Sequence, residues 1–333
     1  MQGWHDVDLL AQALGERVTE FDVSPLTQGE SGVLVARVTG KLAGGTEFSV
    51  VVKSRQGEPV HAALWYARDA GITDREYHVY ELLERLDLPR ASVLAREYVD
   101  ACHWTLVLED LARDYRLPGP DYTFTEADWP SIINTYAKIH ARTRGMSGPI
   151  LERLQPEEGS QANTRSMHEM LDVLSGFEVD SQRLRPEEFW EASAILLELR
   201  EKWRDERRCL VFSDFYPANL ALPKSGSEYA VLFDWELAAY GLPQFDILNA
   251  GFADDEKLDR YFLCMRALGA GINPEKLKAG LGYARLCASF YTLWLLHLKL
   301  TADPDGPLPS WMRSGAADLF SGGLIRLARD ARQ

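Results

Sequence analysis

Up to Asp110 the apolar positions fall in short β-branched runs, and beyond Leu111 they recur mostly at helical spacing. Val33–Thr39 and Phe48–Val52 flank the turn-rich KLAGGT, which predicts a β-hairpin. Residues 5–16 place Leu9, Leu10 and Leu14 on one side, the pattern of a short helix. The stretch 54–72, with Gly57, Pro59 and Gly71, reads as irregular or partly helical. Thr73 opens a predicted helix to about Leu86, with Tyr77, Tyr80 and Leu83 on one face. Strands are expected near Ser92–Tyr98 and Trp104–Leu108.

The period then changes. Trp129, Ile132, Ile133, Tyr136, Ile139 and His140 mark one long amphipathic helix over 126–143. Helical patterns return at 163–176, 186–206, 255–268 and 274–299. A β island interrupts them: Cys209–Phe212, Leu220–Leu222 and Tyr229–Phe233, with the turn KSGS ahead of the last run. A strand-rich first part and a helical second part holding a small hairpin predict an α+β chain. Its boundary is expected near Glu109–Leu111, giving segments 1–110 and 111–333.

Composition narrows the class. With 46% hydrophobic and 26% charged residues the chain can bury a sizeable core, which excludes wholesale disorder. Basic side chains number 36 against 50 acidic ones, a net charge of −14 that argues against nucleic-acid binding through a basic face. The same charge would suit a cationic small substrate. Cys102, Cys209, Cys264 and Cys287 have no metal-binding spacing and read as reduced thiols. The N-terminus lacks a basic segment followed by an apolar run, so no signal peptide is expected. Ala288 to Leu296, the most apolar stretch, is about half of the ~20 residues that a membrane span needs. The expectation is a cytoplasmic protein with no membrane partner.

Candidate chemistry concentrates in the β island. Asp214 and Asn219 lie five apart on a loop between two apolar strands, and Asp234 ends the third. A hairpin would bring the Asn219 and Asp234 ends together, and such hard oxygen donors suit Mg2+. One carboxylate can instead accept a proton from an alcohol. A D-x-x-x-x-N … D order is that of phosphoryl transfer, although each residue taken singly also reads as a turn former. In the first segment Lys53 ends the apolar run FSVVVK, as a phosphate-reaching lysine would. Glu76 suits a partner for Lys53, and it equally completes a helix-capping box with Thr73. Gly29 and Gly32 sit in a strand–turn–strand whose amides suit phosphates, while GxxxxGK[ST] is absent.

Taken in order, GESG, VVVK, REYHVYELL, TLVLEDL, YAKIHAR, SDFYPAN and FDWELAAYGLPQFDI resemble the aminoglycoside phosphotransferase and choline kinase-like family, over roughly residues 20–250. The resemblance implies a two-lobed protein-kinase-like fold. Its small antiparallel-sheet lobe, 1–110, would bind nucleotide, and its larger, mainly helical lobe, 111–333, would carry catalysis and the substrate pocket. It implies Asp214 as the catalytic base, Asn219 and Asp234 as Mg2+ ligands, and Lys53, paired with Glu76, on the nucleotide phosphates. Gly29, Ser31 and Gly32 would cover those phosphates, and the backbone from Glu109 to Leu111 would hold the adenine of ATP, with GTP left open. Asp246 would brace the catalytic loop. The acceptor would be a small-molecule alcohol. A cationic one would suit the acids Glu157, Glu158, Glu169, Asp172, Asp254, Asp255 and Glu256.

The sequence departs from the family at Phe212 and Ser213, where His-Gly is usual, and at Gly32, where Asn often follows the loop serine, here Ser31. The first departure keeps a second reading open, a catalytically impaired nucleotide-binding regulatory protein of the same fold. A hydrolase using Asp214 and Asp234 as an acid–base pair would leave Lys53 and Asn219 unexplained. The lack of HRD, DFG and APE separates the chain from protein kinases. Nothing in the composition demands a second copy of the chain.

Overall fold

A computed structural model describes residues 6–28, 33–57, 74–154, 164–225 and 227–333. In chain order the elements begin with α1 (Val7–Leu14), β1 (Val18–Gln28), β2 (Val33–Leu42), β3 (Glu47–Gln56), α2 (Arg75–Arg85), β4 (Val93–Asp100) and β5 (His103–Glu109). There follow β6 (Tyr115–Arg116), α3 (Trp129–Thr143), α4 (Pro149–Arg153), α5 (Thr164–Leu174), β7 (Glu178–Val179), β8 (Gln182–Arg183), α6 (Pro186–Lys202) and β9 (Cys209–Val211). The last are β10 (Leu220–Pro223), β11 (Val231–Leu232), β12 (Ala239–Gly241), α7 (Pro243–Asn249), α8 (Asp255–Ala267), α9 (Pro274–Ala302), α10 (Ser310–Asp318) and α11 (Leu324–Arg332). The chain divides into two compact units, Met1–Ile139 with Asp214–Ala238 and His140–Ser213 with Ala239–Gln333.

In the first unit the described residues form a five-stranded antiparallel sheet in the order β1-β2-β3-β5-β4. The KLAGGT hairpin forms as predicted, with Val38 opposite Val50 and Lys41 opposite Glu47. Alternation along β3 decides which side chains meet which layer. Val50 and Val52 pack with Val38 and Val107 against Leu9 and Leu10 of α1. Lys53 and Arg55 alternate with that apolar set and turn to the opposite face. β3 runs on to Gln56, into residues whose sequence reads as irregular, because β5 extends the ladder there: Lys53 faces Leu106 and Arg55 faces Trp104. The pairing overrides a weak local pattern.

α3 matches the helix expected over 126–143, with Ile132, Ile133 and Tyr136 buried. The β island differs from the expectation. β10 lies between β11 and β6, a two-residue strand that the sequence did not single out. β9 pairs instead with β12 in the second unit, Leu210 opposite Tyr240. A two- or three-residue strand carries too little pattern to show its partner in the sequence.

The second unit is built on helices. Met170 and Leu174 of α5, Phe189 and Leu196 of α6, Phe290 and Leu293 of α9, and Leu324 and Ala328 of α11 form one buried cluster. Asp254 caps α8 by accepting the Lys257 N–H at 3.0 Å. Among the described residues no helix is long and apolar enough to cross a membrane. Among the described residues no disulfide joins any of the four cysteines.

Candidate active site

β3 delivers Lys53 to α2. Its Nζ lies 2.7 Å from Glu76 Oε1, and both side chains are almost wholly buried. The same ammonium reaches Asp234 Oδ1 at 3.1 Å. Burial alone would pull the lysine pKa down, but the carboxylates of Asp234 and Glu76 outweigh it and hold the ammonium above its ordinary range. Glu76 Oε1 also accepts the backbone N–H of Trp235 at 3.2 Å. The partnership with Lys53, one of the two readings of Glu76, is therefore formed. The helix is preceded by Asp74 at its N-cap, and Thr73 lies outside the described residues.

The β10–β11 pairing does what the spacing predicted. Leu220 sits opposite Leu232, and Phe233 N–H donates to the Asn219 carbonyl at 3.1 Å, so Asn219 and Asp234 emerge together. Asn219 Nδ2 donates to Asp214 Oδ2 at 2.9 Å. Burial, reinforced by the negative charge of Asp234 and opposed by the Asn219 hydrogen bond, pushes the Asp214 carboxyl up to about 6. Two residues here adopt left-handed backbone without being glycine: Ser213 at φ 65° and Asp234 at φ 71°. Such a conformation costs on the order of 1 kcal/mol for an L-residue and persists only where the surroundings impose it.

For Ser213 the surroundings are in the second unit. Asp246 accepts the Ser213 N–H at 2.9 Å and the Phe212 N–H at 2.8 Å, so the backbone immediately ahead of Asp214 is braced. Asp246 is itself held by His140 Nε2 at 3.0 Å, and His140 Nδ1 meets the Tyr261 hydroxyl at 2.9 Å. Phe212 is fully buried. Where the family usually has His-Gly, a packed phenyl ring and a serine with glycine-like φ stand in this chain.

Comparison with known proteins gives the family. The profile of the phosphotransferase enzyme family matches residues 23–279. The chain belongs to the phosphotransferase enzyme family. No curated protein matches it in sequence. Among solved structures it is similar to choline kinase LicA from Streptococcus pneumoniae, with 14% identity, a TM-score of 0.56, and 97% of this chain and 96% of that one covered. It is also similar to the ADP-bound aminoglycoside phosphotransferase APH(2'')-Ib, at 12% identity and a TM-score of 0.57, over 98% of this chain and 99% of that one. Spectinomycin phosphotransferase in complex with ADP and spectinomycin gives 12% identity and a TM-score of 0.53, over 98% and 97%. The two-lobed α+β fold expected from the sequence is the fold found, and the protein is a small-molecule phosphotransferase.

In this phosphotransferase further side chains of the first unit, Arg37, Ser49, Arg55 and Arg75, which the sequence did not single out, hold the segments that carry the expected site residues. Asp110 accepts hydrogen bonds from Arg37 Nε at 2.7 Å, Ser49 Oγ at 2.6 Å and Ala112 N–H at 3.1 Å, which immobilises the segment Glu109–Leu111. Glu109 exchanges hydrogen bonds with Ser92 through its backbone N–H and its Oε1. Arg75 Nη1 donates to the Ala238 carbonyl at 2.8 Å. Arg55 approaches Glu236. The alternation Lys-x-Arg on one strand was the available signal for Arg55; nothing local marked Arg37 or Asp110. Gly29, Ser31 and Gly32 lie outside the described residues.

The donor set fits a hard divalent cation. Burial first and the like charge of Asp234 second raise the Asp214 carboxyl, and a cation there would relieve the repulsion between the two. Among the described residues no group of three His, Cys, Asp or Glu side chains could hold a metal. Two carboxylates and an amide would leave positions for phosphate oxygens and water, as Mg2+ prefers.

Proposed function

We propose that this phosphotransferase moves the γ-phosphoryl group of ATP to the hydroxyl of a small molecule, with Mg2+ as its metal. The observation that carries the reading is the buried Lys53 ammonium, 2.7 Å from Glu76 and 3.1 Å from Asp234. Lys53 binds nucleotide phosphate oxygens, and Glu76 keeps the ammonium aimed. The backbone of Glu109–Leu111 holds the adenine edge, and Gly29, Ser31 and Gly32 cover the phosphates. Asn219 and Asp234 would hold Mg2+, which when bound neutralises charge on the phosphate oxygens.

Asp214, ionised above about pH 6, orients the acceptor hydroxyl. The acceptor oxygen bonds to the γ-phosphorus while the bond from that phosphorus to the β–γ bridging oxygen breaks. ADP leaves, and the hydroxyl proton passes to the Asp214 carboxylate. The protein contributes mainly position and charge. The ADP named in two of the similar structures supports a nucleotide donor, with GTP as the alternative.

A cationic acceptor is the class favoured by the field of a chain with net charge −14. Two of the acids that suggested it are already engaged, Asp254 with Lys257 and Asp255 with Lys278, so the preference rests on the rest of the surface. Cysteines outside disulfides suit a reducing cytoplasm. Against the regulatory alternative stands the bracing of Phe212 and Ser213 by Asp246, which gives the departing pair a defined place in the fold.

The test is a thermal-shift titration with ATP, ADP and GTP, each with and without magnesium, on wild type and Asp234→Ala. A ligand that binds only the folded state must raise the melting temperature. A magnesium-dependent ATP shift that weakens in the variant supports the reading and opens a screen of alcohols for ADP release. No shift with any nucleotide at millimolar concentration overturns it.

A further inference from the structure

Three consecutive residues, Asp234, Trp235 and Glu236, are each gripped by a different buried charged side chain of β3 or α2. Lys53 holds the Asp234 carboxylate at 3.1 Å, Glu76 accepts the Trp235 N–H at 3.2 Å, and Arg55 Nη2 lies 3.4 Å from Glu236 Oε1. The third grip is the odd one. Arg55 is 1% exposed, and its Nε and Nη1 are shut off from solvent without a hydrogen-bond partner among the described residues. A guanidinium carries five N–H donors, and enclosing it with one long contact among the described residues is costly, where a well-packed apolar side chain would cost nothing comparable. Two residues along β3 from Lys53, it shares that lysine's face of the sheet. Asp234 meanwhile sits at φ 71°, a conformation that its neighbours must impose.

We propose that Arg55 is a positioning residue for the phosphoryl-transfer site, holding the turn Asp234–Glu236 through Glu236 and thereby fixing where the Asp234 carboxylate stands. Lys53 cannot do this alone, because in the proposed reaction its ammonium is needed by the nucleotide phosphates. When Lys53 turns to those oxygens, Arg55 and the Glu76–Trp235 bond remain to keep the turn in place. The inference rests on the assignment of Asp234 as a Mg2+ ligand.

The experiment compares wild type, Arg55→Met, Arg55→Lys and Glu236→Gln by melting temperature without ligand. It then measures the magnesium concentration that gives the half-maximal melting shift at fixed ATP. Arg55→Met keeps the volume and removes the charge, so its ligand-free melting temperature should stay level or rise. Its magnesium requirement should rise about tenfold, the usual loss when a group orienting a metal ligand is removed. Arg55→Lys should recover part of that loss. An Arg55→Met protein with the wild-type magnesium requirement, at whatever melting temperature, overturns the inference and leaves Arg55 a packing residue. Should Arg55→Met fail to fold, Glu236→Gln tests the same contact with Arg55 in place: a raised requirement supports the inference and an unchanged one overturns it. A wild type with no magnesium-dependent shift overturns the functional reading and this inference with it; a wild-type shift preserved in the variants overturns this inference alone.

Discussion

Lys53 Nζ is shared between two carboxylates, Glu76 Oε1 at 2.7 Å and Asp234 Oδ1 at 3.1 Å, with Trp235 N–H converging on the same Glu76 oxygen. The lysine therefore ties β3, α2 and the turn after β11 to one point within the first unit. Lys53→Ala leaves Glu76 buried and uncompensated. The expected cost is about 3 kcal/mol of stability, read by urea unfolding, together with loss of the nucleotide-dependent melting shift. A variant of wild-type stability would mean that Glu76 finds another partner.

Asp214→Asn keeps the shape and the Asn219 contact but removes the proton acceptor. Turnover should fall about a thousandfold, in the middle of the range for losing a general base, while the shift with magnesium and ATP persists. Unimpaired turnover in the folded variant would remove Asp214 from the reaction.

The pKa of Asp214, pushed up to about 6 by burial and by Asp234, sets a pH dependence with opposite signs for activity and stability. Turnover needs the carboxylate, so it should rise through pH 6. Stability should move the other way. Between the ordinary carboxylate pKa near 4 and about 6 the folded state binds a proton that the unfolded chain has released. The Asp214 contribution is thus present at low pH and lost as pH rises through 6. Unfolding of wild type and Asp214→Asn at pH 5 and pH 7 isolates it: the variant's stability should depend less on pH over that interval.

Ser213 stands at φ 65°, and its hydroxyl is buried without a hydrogen-bond partner among the described residues. Ser213→Gly relieves both at once and should stabilise the protein by about 1 kcal/mol, less the extra freedom glycine has in the unfolded chain. Chemical denaturation checks the sign. A destabilised Ser213→Gly would show that the hydroxyl has a role the ligand-free protein does not reveal.

Asp246 accepts two backbone N–H groups and the His140 ring nitrogen, all buried. Asp246→Ala strands these donors, and a loss of about 3 kcal/mol is expected. His140→Ala should cost less, since the backbone bonds to Asp246 survive it; the reverse order would place the weight of this network on the helix rather than on the loop ahead of Asp214.

Local pattern alone determined much of this protein. The KLAGGT hairpin, the long helix with Ile132 and Tyr136 on its buried side, and the pairing that sets Asn219 beside Asp234 all follow from periodicity, turn chemistry and spacing, which act over a few residues. The order of GESG, VVVK, SDFYPAN and FDWE carried the family. Contacts distant in sequence were decided only by the tertiary structure. Glu76 had two local readings of equal standing, and only the fold brings it Lys53, 23 positions away. β9 could have joined β10 until β12 took it. Arg37 and Asp110 are unremarkable until they meet across 73 positions. Arg55 lies in a stretch that reads as irregular, and the fold buries it against Glu236, 181 positions on. The physical reason is common to all of these. Hydrophobic periodicity records which face of an element is buried, while a charged side chain's role depends on which opposite charge shares its low-dielectric surroundings, and only the folded chain supplies that partner.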